Sequence, residues 1–251
     1  MDQIGEARAE GRRAVAEALR AGHPVDKLFV LKSAEGLGTL VSQARQAGAV
    51  VIFCERERLD AMSQTRAHQG IIAVMAAWNY ASPEDMLAAA RAKNEPPFLI
   101  VCDGVEDPGN LGSILRTAEA AGAHGLILPK RRSAGLSPIT AKASCGALEY
   151  LPVARVPGIP AFLRQLKQEN IWIYGADAEG TQSVYEADFT GGVALVFGSE
   201  GSGLSRLTRE QCDFLVSLPM RGHVSSLGVA AAAAVVIYAA MRCRLPATQG
   251  Q

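Results

Sequence analysis

From residue 98 onward, short apolar runs recur at regular intervals with helical patterns between them. FLIVC (98–102), HGLIL (124–128), LPVARV (151–156), IWIYGA (171–176), VALVFG (193–198) and FLVSLPM (214–220) read as strands. Helical spacing of apolar residues covers 111–121, 140–147, 159–169 and a final Ala-rich stretch opened by Ser225-Ser226. Continuous apolar strands alternating with helices predict a mostly parallel sheet covered on both faces. Ahead of it, strands at 27–31, 49–54 and 70–75 and helices over 5–21, 35–47 and 56–62 predict a smaller α/β unit. In the stretch between, Ser82 caps a helix with Pro83 in its first turn, and Pro96-Pro97 stops it. The expected organisation is a small domain over 5–77, a linker over 78–96 and a larger domain over 97–245.

Charge narrows the picture. The chain carries 25 acidic and 25 basic residues, so any nucleic-acid footprint must be a local patch. Arg12 and Arg13 on the first helix are one candidate, although a solvated helix face explains them equally. The five cysteines (54, 102, 145, 212, 243) form no C-x-x-C pair, which argues against disulfides and a metal site and fits a reducing compartment. Cys102 lies inside an apolar strand and reads as core; His68 reads as a turn residue. The charged start is unlike a signal peptide. The longest apolar run, 227–241, is too short and Ala-rich for a membrane span. A soluble cytoplasmic protein is expected, with no membrane and no metal.

Chemistry concentrates in the turns at the carboxyl ends of the strands, where parallel sheets build ligand sites. In DGVEDPGNLGSILRTAEAAGA (103–123), Asn110 reads as an N-cap, Leu111, Ile114, Leu115, Ala118 and Ala121 form a core face, and Arg116 lies opposite. By spacing alone Arg116 is a solvated helix arginine. Lys130-Arg131-Arg132 follows a strand directly and could grip phosphates or merely face solvent. GSEGSG (198–203) is a glycine turn, but its order differs from the dinucleotide fingerprint and it carries Glu200, which repels a pyrophosphate. A carboxylate there suits hydroxyls or a cation. Gly228, placed in the first turn of the last helix, is unfavourable there and is expected to serve a close backbone approach.

With these residues laid out, three stretches resemble, in order, the motifs of the SpoU-type (TrmH-like) RNA ribose 2′-O-methyltransferases. They are DPGNLGSILRTAEAAGA, LVFGSEGSGLS and LPMRGHVSSLGVAAAAA. GRRAVAEAL and HQGIIA are similar to the start and end of the family's small substrate-binding domain. The likeness is greatest to the branch that methylates a guanosine of 23S rRNA. It implies a SPOUT-type trefoil-knotted α/β domain with a mostly parallel sheet, a homodimer, S-adenosylmethionine as cofactor and RNA as substrate. It implies catalytic roles for Asn110, Arg116, Glu200 and Ser226, with Glu200 and Asn110 orienting Arg116. Ala176, Gly198, Gly201, Leu218, Met220 and Leu227 would hold the cofactor. Arg12, Arg13, Lys130, Arg131 and Arg132 would meet RNA. One position departs from the pattern: the family's usual Asn after Ser-Leu is Gly228 here. Alternatives are a tRNA or antibiotic-resistance rRNA methyltransferase of the same family, or an RNA-binding protein with a degenerate site. A nucleotide-dependent oxidoreductase is disfavoured by the order of glycines in GSEGSG.

Overall fold

The computed structural model describes residues 8–63, 65–76 and 78–245. The chain divides into two compact units. The first takes the residues up to Tyr80 together with Gly135–Ile139, and the second takes Ala81–Ala134 and everything from Thr140.

The first unit runs β1 (Arg8–Glu10), α1 (Arg12–Arg20), β2 (Val25–Leu31), α2 (Gly38–Gln46), β3 (Val50–Cys54), α3 (Arg56–Met62) and β4 (Ile71–Met75). Its sheet order is β1-β4-β2-β3. β2 and β3 are parallel, and β4 lies antiparallel to both β1 and β2. The helix expected over 5–21 is therefore two elements, and positions 5–7 lie outside the described residues. Gly11, at φ 87°, adopts a left-handed conformation that side chains resist, so the chain turns there from strand into helix. Val15 on α1 then packs against Leu28, Val30, Ile71 and Ala73 of the sheet, and Ala18 is buried as well. His68 is a buried turn residue: its Nδ1 accepts from the Gly70 N–H at 3.0 Å and its Nε2 meets Asp60 at 2.9 Å.

The second unit opens with α4 (Pro83–Ala92), inside the stretch expected to be a linker. Ser82 Oγ accepts from the Asp85 N–H at 3.1 Å, as a Ser-Pro helix start requires. Met86, Leu87 and Ala90 bury into the unit's core, and Met86 sits where a side chain on Gly125 would stand, 2.2 Å from its would-be Cβ. Next come β5 (Phe98–Asp103), α5 (Pro108–Ala120), β6 (Gly125–Pro129), α6 (Pro138–Ala143, of which the second unit takes the residues from Thr140), a 3-10 turn (Ala147–Glu149), β7 (Val153–Val156) and α7 (Ile159–Gln168). The rest is β8 (Trp172–Ala176), β9 (Gln182–Ser183), β10 (Val193–Gly198), α8 (Arg206–Arg209), β11 (Phe214–Ser217) and α9 (Val229–Arg244). The sheet order is β7-β6-β5-β10-β8-β11-β9, every pairing parallel.

This is the predicted parallel sheet, with differences at the ends of elements. The helical stretch expected at 140–147 breaks into α6 and a 3-10 turn, because Cys145 (φ 49°) and Gly146 (φ 92°) are both left-handed. The strand expected over 214–220 stops at Ser217, and the short β9 carries too little apolar pattern to be read. The last helix begins at Val229, with Gly228 as its N-cap at φ −58°, ψ 150°. Ser225 and Ser226 thus precede the helix and make no capping bond to it. Gly228 is outside the helix, so it imposes no helical penalty. A Cβ on it would meet nothing within 4 Å, so it serves no close approach either.

Candidate active site

β10 runs beside β5, pairing Gly198 with Asp103 at the carboxyl ends of both strands. The turns that leave them are therefore neighbours, although they stand about ninety residues apart in sequence. Three contacts join the two turns. The Ser205 N–H donates to Asp103 Oδ2 at 3.3 Å. Gly104, at φ 94°, lets Ser199 approach to 3.3 Å of its would-be Cβ. Asn110 Nδ2 donates to Glu200 Oε1 at 2.7 Å.

Asn110 can reach Glu200 because it is not the N-cap. Asp107 caps α5, its Oδ1 accepting from the Asn110 N–H at 2.7 Å, and Pro108 fills the first helical position. Asn110 becomes the third helical residue, with its side chain released from capping. Arg116 lies further along α5, exposed, and its Nη1 donates to Cys145 Sγ at 3.6 Å. The orienting contact expected between Glu200 and Arg116 is not made, since Glu200 accepts from Asn110 and Arg116 is held elsewhere.

The GSEGSG turn closes on itself through two bonds, Ser199 N–H to Gly203 carbonyl and Gly203 N–H to Ser199 carbonyl, each 3.0 Å. Beneath it lies a cavity of about 270 Å³. Ala176, Gly198, Gly201, Leu218, Met220, Ser226 and Leu227 all line it, as does Glu200. Val229, inside the third motif, extends the apolar wall, and so do Val216 and Val236, which the sequence motifs do not mark. A second hollow of about 320 Å³ is lined by Gly104, Glu106, Asp107 and Asn110, and it shares Ser199 and Glu200 with the first. Glu106 and Asp107 were not among the expected site residues; their only signal is their place in the β5–α5 turn.

Lys130, Arg131 and Arg132 follow β6, next to β5, and so stand at the same carboxyl edge. On the first unit, Arg12 and Arg13 open α1; Arg12 Nη2 donates to the Glu35 carbonyl at 2.9 Å and Arg13 is exposed. Burial makes two cysteines inert: Cys102 and Cys212 have thiols pushed up to about 12, mainly by desolvation. Among the described residues no group of three His, Cys, Asp or Glu is placed to hold a metal ion. No helix among them is long and apolar enough to cross a membrane.

The first cavity fits S-adenosylmethionine in kind. Valine, leucine and methionine side chains suit a flat adenine, glycine backbone offers hydrogen-bonding groups without bulk, and Glu200 places an acidic residue on the cavity wall, compatible with a cationic ligand. The chain is 43% identical over 238 residues to YacO of Bacillus subtilis (strain 168), a TrmH family protein, covering 94% of this chain and 95% of that one. It is 42% identical over 227 residues to the 23S rRNA (guanosine-2′-O-)-methyltransferase RlmB of Escherichia coli (strain K12), covering 90% and 93%. Among solved structures, the SpoU methyltransferase AviRb from Streptomyces viridochromogenes in complex with the cofactor AdoMet superposes with a TM-score of 0.60 at 29% identity, covering 94% and 89%. The model of the RNA 2′-O ribose methyltransferase substrate-binding domain matches residues 8–81, and that of the SpoU rRNA methylase family matches residues 97–238. With both halves matched and the two motif turns joined at Asn110 and Glu200, the chain belongs to the SpoU rRNA methylase family.

Proposed function

We propose that this chain methylates the ribose 2′-hydroxyl of a guanosine in 23S rRNA. RNA 2′-O-ribose methyl transfer from S-adenosylmethionine is the chemistry of its family. The guanosine and the 23S rRNA rest on likeness to the Escherichia coli enzyme. The observation that carries the placement of the site is the Asn110–Glu200 bond, on the wall shared by the two hollows.

When bound, S-adenosylmethionine supplies an electrophilic methyl group on a sulfonium. Gly198 and Gly201 offer backbone to its polar end, and Ala176, Leu218, Met220 and Leu227 exclude water from its ring. Ser226, at the cavity wall, offers a hydroxyl to the same ligand. The neighbouring hollow receives the ribose. One Glu200 oxygen is occupied by Asn110, which leaves the other to accept from a ribose hydroxyl. Arg116 pairs with the target phosphate and stabilises the charge developing on the 2′-oxygen. A guanidinium is a poor proton acceptor, so its role is electrostatic.

In this reading the unit before Tyr80 selects the RNA through Arg12 and Arg13, and Lys130, Arg131 and Arg132 hold phosphates beside the site. The trefoil knot implied by the family motifs belongs to the reading too. It is supported by the path of the chain from the central β10 out to β11 and back through α9, which packs on β10 and α5. A homodimer is part of it as well, since α9 leaves Tyr238 46% exposed and the residue after it, Leu245, 58% exposed. The site of action is the cytoplasm.

The experiment is mapping of 2′-O-methyl positions in 23S rRNA and tRNA, each incubated with the cofactor and either the native protein or Arg116→Ala. A single modified guanosine with the native protein, and a rate lower by on the order of 10²–10³ for the variant, are expected. Calorimetry should show unchanged cofactor affinity. Full methylation by Arg116→Ala would remove its assignment, and modification of tRNA alone would move the substrate. Arg13→Ala should flatten the salt dependence of RNA binding by about one unit of slope while cofactor binding stays as it was.

A further inference from the structure

Arg116 stands on an exposed turn of α5, and its guanidinium has one side-chain partner. Nη1 donates to Cys145 Sγ at 3.6 Å, and Arg116 forms no ion pair with a described residue. Two features fix that sulfur. The first is Gly112, one helical turn before Arg116 and therefore on the same face of α5. A Cβ there would stand 2.4 Å from the Cβ of Ala143 and 2.7 Å from the Thr140 carbonyl oxygen. α5 thus touches α6 backbone to backbone, and Cys145 follows Ala143 by two residues.

The second feature is the backbone of the turn itself. Cys145 has φ 49°, a conformation that persists for a residue with a Cβ only where the surroundings hold it. Buried Ser144 supplies the hold. Its N–H donates to the Thr140 carbonyl at 2.9 Å, its hydroxyl donates to the Ala141 carbonyl at 2.8 Å, and its own carbonyl accepts from the Ala147 N–H at 3.0 Å.

We infer that Gly112 and Cys145 are positioning residues that aim Arg116. The close helix contact at Gly112 sets the sulfur against the guanidinium. A thiol is a weak acceptor. It fixes the direction of Arg116 with one of five N–H donors and leaves the positive charge uncompensated for RNA. A carboxylate in the same place would hold the arginine too, but would neutralise it. The inference rests on the reading of Arg116 as the group that meets RNA.

The test measures single-turnover methylation of 23S rRNA, cofactor affinity and unfolding midpoint for Cys145→Ala, Cys145→Gly, Cys145→Ser, Arg116→Ala and the double variant Arg116→Ala with Cys145→Ala. Alanine and glycine should each lower the rate on the order of tenfold, the scale of a modest misplacement, with cofactor affinity unchanged. Glycine is unstrained at positive φ, so Cys145→Gly should unfold no earlier than the native protein and its lost rate cannot be ascribed to folding. Serine should restore most of the rate, because its hydroxyl accepts the same bond. In the Arg116→Ala background, Cys145→Ala should cause no further loss. Native rates for the alanine and glycine variants would overturn the inference and leave the reading of Arg116 standing. Loss that serine does not rescue, or that adds to Arg116→Ala, would overturn it as well. Full activity of Arg116→Ala would remove the premise instead.

Discussion

Gly198→Ala is the smallest change expected to disable the cofactor cavity. Gly198 ends β10, and the turn it begins folds back until Gly203 lies over it. An alanine Cβ at 198 would stand 2.1 Å from the Gly203 carbonyl carbon, 2.2 Å from its oxygen and 2.3 Å from the Leu204 nitrogen. All three are backbone atoms, so no side chain can swing aside. An ordinary contact begins at 3.4 Å, and Gly203 must therefore retreat by about 1.3 Å, the difference between 3.4 and 2.1. The two 3.0 Å bonds between Ser199 and Gly203 would stretch past bonding range. Losing them costs about 2 kcal/mol at roughly 1 kcal/mol each. If the turn opens, that cost falls on the cofactor and weakens its binding by roughly thirtyfold. If the turn resists, overpacking adds about 1–3 kcal/mol and the protein unfolds at lower urea. Calorimetry with S-adenosylmethionine, paired with urea unfolding, reads both limits. Gly201→Ala is the control: its Cβ would meet nothing within 4 Å, so its urea midpoint should match the native one. A Gly198→Ala protein with native affinity and native midpoint would refute the reasoning.

Three further outcomes are expected. Asn110→Asp would set two carboxylates at the 2.7 Å contact with Glu200; turnover should collapse at alkaline pH and partly recover on acidification, as the pair comes to share a proton. A flat pH ratio between variant and native rates would remove Glu200 from the site. His124 has its pKa lowered, first by burial and against the raising effect of its hydrogen bond to Glu95; Lys93 and Arg244 push the same way as burial. Its Nδ1 accepts from the Phe98 N–H at 3.1 Å, which requires an unprotonated nitrogen. Below pH 6.5 the unfolded chain binds the proton more readily, so stability should be full above 6.5 and fall as pH drops toward the folded pKa. In urea midpoints taken across that window, His124→Gln should flatten this part of the profile, and an unchanged slope would show that His124 is not its source. Gly228→Asn places a side chain in open space at an N-cap whose φ any residue adopts. Capping by Asn instead of Gly is worth only a few tenths of a kcal/mol, so the melting temperature should barely move. A large rise in turnover would then report site chemistry and not helix repair.

Much of the larger unit was legible because its strands are nearly pure apolar runs between polar turns. Where the reading failed, a local signal was outweighed or passed over. Asp107-Pro108 is the same cap-and-proline pair as Ser82-Pro83, and applying that rule twice places the cap at Asp107 rather than Asn110. Gly11 carried the break between β1 and α1, but three residues of strand are too few to show a period. Ser225-Ser226 looked like a cap because serines favour that place; the chain instead holds them in the cavity wall, where no helix rule applies.

What no local rule could supply was strand order. Asn110 and Glu200 are bonding partners only because β10, late in the chain, is inserted between β5 and β8. A sheet that kept sequence order would put β6, β7, β8 and β9 between the two turns, and the same motifs would then line separate hollows. The motif residues are therefore chemistry in waiting, and the insertion of β10 beside β5 converts them into one site. It also explains why Glu200 looked out of place in a glycine turn: a carboxylate that would repel a pyrophosphate has, one strand away, an amide to hold it, and it lines the second hollow as well.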